Sequence, residues 1–382
     1  MRVLIAPDSF KGSLDPTAVA NALADGWRRA RANDSLTLIP LADGGEGFMD
    51  AIKASSTDWL ELPVHARDPL HRPLRATFLR RGNEGVVELA AASGLSRVPV
   101  EERDAMTAST FGTGQVLAAA IGLGVREIVL GLGGSATTDG GAGLLSALGV
   151  RFMDGQGSDI GQGGGSLGSV AGVDMDDVAP ILSEVSLTIA SDVRNPLLGE
   201  MGAAATYGPQ KGATAAQVKD LDANLSHYAD LLEAASGRLI RDVPGAGAAG
   251  GTTAGLLAIA DRFANYEIRP GVEVVMELTG FDEALAAADL VLTGEGRIDE
   301  QTGFGKTAMG VAQRARDAGK ACISFGGGAT PEGIAALGAL GAVVVPVTEQ
   351  PQTVEEAMAA GSAPLVRAAE RAARLVSIGV FA

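Results

Sequence analysis

A chain of 382 residues is longer than one hydrophobic core ordinarily serves, so two domains are expected. The formal net charge of −16 excludes nucleic acid or an acidic membrane as the main partner, since both demand a basic face. The single cysteine, Cys322, excludes an internal disulfide, suits a reducing compartment and, in an apolar strand, reads as core rather than nucleophile.

Val3–Ala6 reads as a buried parallel strand, too short for a secretion signal. Asp15 then Pro16 starts a helix to about Ala30, a side-chain cap followed by a residue preset for the first turn. An extended Leu36–Pro40 and a helical Glu46–Lys53 follow. Leu60–Val64, Arg75–Arg80 and Gly85–Leu89, separated by Asp68-Pro69 and Gly82-Asn83, predict an antiparallel element. Alternation resumes through Arg126–Leu130, Gly141–Leu148 and Leu187–Ala190. Gly155–Gly172, rich in glycine and serine without apolar periodicity, reads as a long flexible surface loop. Capping boxes at Thr214-x-x-Gln217 and Thr353-x-x-Glu356 open two later helices.

From Asp289 the simple rhythm returns, with buried-type strands at Leu290–Leu292, Ala321–Phe325 and Val343–Val347. The two ends resemble each other more than the middle. The expected fold is α/β: a Rossmann-like parallel-sheet domain built from residues 1–64 and 285–382, with a mixed α/β domain, 65–284, inserted and a cleft between them as the working site. The uncharged stretches Val243–Ala260 and Gly333–Thr348 are broken by proline, and neither reads as a membrane span. A cytoplasmic enzyme is expected, with homo-oligomerisation left open.

Glycine numbers 53, about twice its usual share, and it gathers in short runs that mark tight turns and close backbone approach. Six polar clusters, five of them glycine-bearing, each follow an apolar run, where open α/β sheets place their ligand loops. They span residues 6–12, 42–47, 131–141, 191–196, 206–212 and 293–299. Of only six lysines, Lys11, Lys211 and Lys306 lie beside a glycine in loop-like sequence, as a protein of this charge requires if it is to hold an anion.

In the third cluster a strand runs into glycines and hydroxyls before a helix, an arrangement suited to phosphate. Ser135, Thr137 and Thr138 add donors, and Asp139 can hold Mg²⁺. Asp43 and Glu46 flank a double glycine, and Glu295 and Asp299 flank Gly296-Arg297. Such carboxylates suit Mg²⁺, which takes one or two of them together with phosphate oxygens. Asp192-x-x-Asn195 pairs a proton acceptor with a neutral oxygen ligand, or is an Asx turn before Pro196.

Two rival motifs and one non-enzyme reading compete. Gly131-x-Gly133-x-x-Ala136 satisfies the dinucleotide fingerprint, with Asp154 about where a ribose-binding acid belongs, so an NAD-dependent dehydrogenase of a small hydroxy acid is an alternative. Gly305-Lys306-Thr307 ends like a P-loop, but Glu300 stands where its first glycine should be. A hydroxy-acid sensor without turnover would use the same loops. His65, His71 and His227 show no metal-binding spacing, and no G-x-S-x-G elbow is present.

Taken in order along the whole chain, these segments (Ala6–Leu14, Pro40–Gly47, Ser109–Gln115, Gly131–Gly143, Ala190–Leu198, Ala205–Gly212, Pro244–Gly251 and Leu292–Thr302) resemble the bacterial type I glycerate kinases, the glycerate 2-kinase family. The resemblance implies ATP, Mg²⁺ and D-glycerate as partners, and 2-phosphoglycerate and ADP as products. The catalytic candidates are Asp192, Lys11 and Asp43. Substrate and nucleotide contacts are expected from Ser9, Gly44, Gly45, Gly133, Gly134, Ser135, Thr137, Arg194, Asn195, Lys211, Arg297 and Lys306, and metal contacts from Glu46, Asp139, Glu295 and Asp299. Two positions depart from the family pattern: Ala308 stands where a proline is expected, and His71 where glycine is frequent.

Overall fold

The computed structural model describes residues 1–42, 44–45, 47–299 and 307–378, and Asp43, Glu46 and Lys306 lie outside them. The chain divides into two compact units, one of residues 1–43, 50–57 and 270–382, the other of 44–49 and 58–269. These breaks fall some residues before the expected 64/65 and 284/285. The first precedes β3 (Leu60–Arg67), because that strand is committed by pairing to β4 (Pro73–Arg81) along its whole length.

The first unit is a parallel sheet of β1 (Arg2–Ile5), β2 (Ser35–Leu38), β11 (Leu290–Ile298), β12 (Ala321–Ala329) and β13 (Ala342–Pro346), in the order β13-β12-β11-β1-β2. Counted within the unit this is the order 2-1-3-4-5, which reverses direction between β1 and β11. β11 and β12 run further than their apolar cores predict, to Ile298 and Ala329. Their glycines, which read as loop residues in sequence, allow the two backbones to stay paired, since a Cβ on Gly327 would lie 2.4 Å from the Gly296 carbonyl.

The helix Pro16–Ala30 starts as expected, with the Asp15 carboxylate accepting from Ala18 N, and buries Val19, Leu23 and Trp27. It packs on the C-terminal helix Ala363–Ile378, which contributes Leu365, Ala369 and Ala372 to the same core. Gly26 sits at the crossing. A Cβ there would lie 2.1 Å from the Val366 carbonyl oxygen and 2.7 Å from the Ala369 Cβ.

The second unit is a six-stranded mixed sheet in the order β10-β9-β6-β5-β4-β3. β5 (Glu84–Glu88), β6 (Glu127–Gly131), β9 (Ser186–Ala190) and β10 (Asn265–Arg269) are parallel, and β4 and β3 close the sheet as the expected antiparallel element. β10 carries no sequence signal of its own and is a strand because it pairs with β9 along its length. The turn between β3 and β4 holds His71 at φ 67°, a left-handed conformation that glycine adopts without steric cost, which accounts physically for the glycine frequent there.

The segment 155–172 is not the free loop expected. A short antiparallel pair, β7 (Arg151–Met153) with β8 (Gly172–Asp174), brackets it, and a 3-10 turn spans Gly164–Ser169. Asn224 donates to the Gly164 carbonyl at 3.0 Å, and Gln162 accepts from the Ser109 hydroxyl at 2.8 Å. Its glycines seat backbone against backbone: a Cβ on Gly163 would lie 2.5 Å from the Met106 carbonyl. Among the described residues no helix is long and apolar enough to cross a membrane.

Helix propensity alone favours Gly26→Ala by up to about 1 kcal/mol. The crossing predicts the opposite sign: overpacking should lower stability by about 1–3 kcal/mol, read as a lower urea midpoint at unchanged m.

Candidate functional site

In the second unit the parallel register sets Glu88, Gly131, Ala190 and Arg269 in one row at the carboxyl ends of β5, β6, β9 and β10. The glycine-rich loop after β6 and the Asp192 loop after β9 therefore leave the sheet side by side, with Leu132 N donating to the Ala190 carbonyl. Gly44 and Gly45 lie against both. A Cβ on Gly133 would come within 2.1 Å of the Gly45 Cα, and one on Gly44 within 2.8 Å of the Ala190 carbonyl oxygen. Gly133 N donates to the Gly44 carbonyl at 2.9 Å. Three predicted elements, Gly44-Gly45, Gly133–Ser135 and the Asp192 loop, are thus brought together. Gly133 serves close packing, because its amide is already spent on Gly44.

The loop after Ser135 works differently from the expected phosphate cradle. The helix it feeds, Ala142–Ala147, has six residues, and its first amides are taken by the protein itself. Asp139 is fully buried. One of its carboxylate oxygens accepts from Thr110 N and Thr110 Oγ1, both at 2.8 Å, and from Gly143 N at 3.2 Å; the other accepts from Gly141 N at 3.2 Å. Burial raises its pKa, outweighing those hydrogen bonds. Asp139 is therefore a cap on the protein's own backbone, without the exposure a metal ligand needs. The hydroxyls of Thr137 and Thr138 are buried and find no hydrogen-bond partner among the described residues.

Lys211 is the cation of this loop, only 2% exposed. Its Nζ donates to Ser135 Oγ at 2.8 Å and to the Thr137 carbonyl. Burial lowers its pKa from 10.5 to about 7, with the charge of Asp139 pulling the other way. Against the same loop lies a turn that carried no assignment in sequence. Ala249, Gly250 and Gly251 all have positive φ, and a Cβ on Gly250 would lie 2.0 Å from the Thr137 carbonyl. Its forewarning in sequence was the glycine density after Pro244 and the place of Pro244–Gly251 among the segments that carry the family resemblance.

Asn195 is not a loose ligand. Its Nδ2 donates to the Met201 carbonyl at 2.8 Å, and its Oδ1 accepts from the Tyr207 hydroxyl at 2.9 Å, so it ties two loops together. Arg194 is exposed beside it. Asp154 accepts from Gln156 N and Ser158 N in the turn after β7, which removes it from the role of ribose-binding acid.

In the first unit a cavity of about 600 Å³ opens at the carboxyl ends of β1, β11, β12 and β13. Ser9 and Lys11 line it from the loop after β1, and Glu295 and Arg297 from the end of β11. Asp8, not singled out in sequence, lines it too. Asp8 N donates to the Gly294 carbonyl at 2.8 Å, which makes Asp8 and Glu295 neighbours across the β1/β11 join, each 6% exposed. The Asp8 carboxylate also accepts from the Thr307 hydroxyl at 2.6 Å and from Ser9 N. Arg297 is mostly exposed and pairs with Asp299 at 3.1 Å, a surface contact of small energetic weight. Among the described residues no three His, Cys, Asp or Glu side chains gather as a metal cage. Two buried carboxylates beside an open cavity do fit Mg²⁺, which needs no more than that when phosphate completes its shell. Cys322 is buried in β12, and burial pushes its thiol up to about 12, so it is no nucleophile.

The depressed Lys211 pKa fixes a pH dependence. Between about 7 and 10.5 the unfolded chain holds the lysine proton and the folded protein does not, so stability rises with pH across that window. Lys211→Met has no such proton to release. The urea midpoint of the wild type relative to this variant should therefore climb from pH 7 to pH 10, and a flat difference would mean that the buried amine keeps its charge.

The comparisons agree with the loop geometry. A model of the Glycerate kinase family matches residues 3–377. A glycerate kinase of Halalkalibacterium halodurans is 46% identical over 327 residues, 85% of each chain. The glycerate 2-kinase of Escherichia coli (strain K12) is 39% identical over 383 residues, covering 100% of this chain and 99% of that one. A crystal structure of a candidate glycerate kinase 2 from Salmonella typhimurium LT2 superposes with a TM-score of 0.84 at 39% identity, covering 100% of both chains. With strand ends, glycine contacts and whole-chain similarity in agreement, this chain belongs to the glycerate kinase family.

Proposed function

We propose that the protein transfers the γ-phosphoryl group of ATP to the C2 hydroxyl of D-glycerate, giving 2-phosphoglycerate and ADP. The observation that carries this reading is the pair of buried carboxylates, Asp8 and Glu295, that line a large cavity at the strand ends. Phosphoryl transfer asks for positioning and charge stabilisation rather than a covalent nucleophile, and the described loops supply glycine-shaped backbone, lysines and carboxylates. The full-length match to a protein named glycerate 2-kinase supports both the substrate and the C2 position.

In the reaction the C2 oxygen forms a bond to the γ-phosphorus as the bond from that phosphorus to the β,γ-bridging oxygen breaks. Asp192 takes the C2 hydroxyl proton and passes it to solvent. Lys11 offsets negative charge on the anionic groups, and Lys211 does the same when an anion restores its proton. Asp8 and Glu295 would hold a divalent cation, Mg²⁺ in this reading, which neutralises phosphate oxygens when bound. Ser135 and Gly134 orient oxygens of the substrates, while Thr137, as buried as Asp139, shapes the loop behind them. Asp139 and Asn195 are positioning residues in this scheme and not ligands. A cationic clamp on the substrate carboxylate fixes the adjacent C2 hydroxyl closely, whereas the C3 hydroxyl has one more rotor and needs its own anchor. The buried, lone thiol suits a cytoplasmic setting.

A pyruvate kinase–lactate dehydrogenase assay should show ADP formed only with D-glycerate and Mg²⁺ present. Glycerate-dependent heat without ADP would favour a sensor. Coupling to enolase without phosphoglycerate mutase should give phosphoenolpyruvate; a signal that needs added mutase would move the transfer to C3. Asp192→Asn and Lys11→Ala should each lower kcat/KM by about 10²–10⁴ while keeping a cooperative melt. Either variant with near-wild-type kcat/KM would remove that residue from the mechanism.

A further inference from the structure

The cavity of the first unit is far larger than a three-carbon acid requires. At about 30 Å³ per water-sized volume it holds the equivalent of some twenty waters. Much of its wall is apolar: Phe10 and Leu14 from the loop after β1, and Val347, Val354, Met358 and Leu365 from the segment that follows β13. A hydroxy acid is polar on every side and would lose its hydration against such a wall without repayment. A planar heterocyclic base has two apolar faces and a polar rim, and it matches a cavity walled this way.

Position points the same way. In an open parallel sheet of order 2-1-3-4-5 the ligand crevice lies at the carboxyl ends of the strands where the order reverses, here β1 and β11. The cavity is lined by the continuations of both strands.

Gly328 is the independent observation. Its neighbour Gly327 is glycine for packing, since a Cβ there would lie 2.4 Å from the Gly296 carbonyl oxygen. A Cβ on Gly328 would meet nothing within 4 Å, and its φ is not in the left-handed region. The fold therefore does not require glycine at 328, yet this bare strand end lines the cavity.

We propose that this cavity receives the adenosine moiety of the nucleotide, its base against Phe10, Val347 and Met358 and its phosphates toward Lys11, Asp8 and Glu295. The assignment rests on the kinase reading for the identity of the nucleotide, and it places base recognition in the unit built from the chain ends. Local hydrogen bonds fix this wall: the Thr348 hydroxyl donates to the Gly327 carbonyl at 2.6 Å, and Thr330 caps the following helix by accepting from Gly333 N at 3.2 Å.

The test uses the full chain with Mg²⁺ and ADP. Irradiating the wild-type protein with 8-azido-ADP should label peptides covering 347–365 or 8–14, with unlabelled ADP competing. Gly328→Ile, a β-branched residue in a strand with room for its Cβ, should weaken ADP binding by calorimetry and raise the KM for ATP about tenfold, leaving the KM for glycerate unchanged. Met358→Trp, which fills the same space from the helical side, should do likewise. Label confined to other peptides overturns the assignment, as does ADP affinity at the wild-type level in both variants. A rise in the glycerate KM alone would give the cavity to the acid and also overturn it. Labelling at this cavity with no glycerate-dependent turnover would uphold the pocket and sink the kinase reading instead.

Discussion

A carboxylate sealed from solvent organises the inserted unit. Asp139 gathers the amides of Thr110, Gly141 and Gly143 and the hydroxyl of Thr110, groups that lie about thirty residues apart in sequence on its two sides. A buried carboxylate is tolerated only when such partners surround it. By closing on them it fixes where the helix Phe111–Gly122 begins and how the loop after β6 turns. Lys211 is held on the same loop, and its lowered pKa follows from sharing that dry interior. The row of glycine contacts from Gly44 through Gly133 to the end of β9 then depends on the loop keeping that path.

The terminal unit is organised by strand order rather than by one charge. β1 lies between β2 and β11, so the sheet reverses direction there and the loops on either side of the join splay to leave room. Asp8 and Glu295 occupy that join, and the glycines of β11 and β12 carry the two strands past it in contact. The same close packing that requires glycine at 294 and 327 does not extend to Gly328, whose bare strand end lines the cavity.

Much of this was legible in the residues. Asp15-Pro16 and the boxes at Thr214 and Thr353 are local hydrogen-bonding devices, decided within a few residues, and they stand where the pattern puts them. The apolar strand cores and the grouping of the two chain ends follow from periodicity in the same way. The glycine-rich loops at the strand ends were legible too, because glycine runs after apolar runs are a backbone requirement written in composition.

What sequence could not decide is what each glycine and carboxylate in those loops is for. Gly133 and Gly328 look alike in a string of letters, yet one meets Gly45 at contact distance and the other meets open space. Asp139 and Glu295 look alike as acids in glycine-rich loops, yet one caps buried amides while the other lines a cavity. β10 is a strand because β9 offers it an edge, and the segment 155–172 is held by residues remote in sequence, among them Asn224, Met106 and Ser109. Local propensity and whole-chain similarity identified the family and its loops. The division of labour among those loops came from contacts between residues far apart in the chain, and only the tertiary structure decides such contacts.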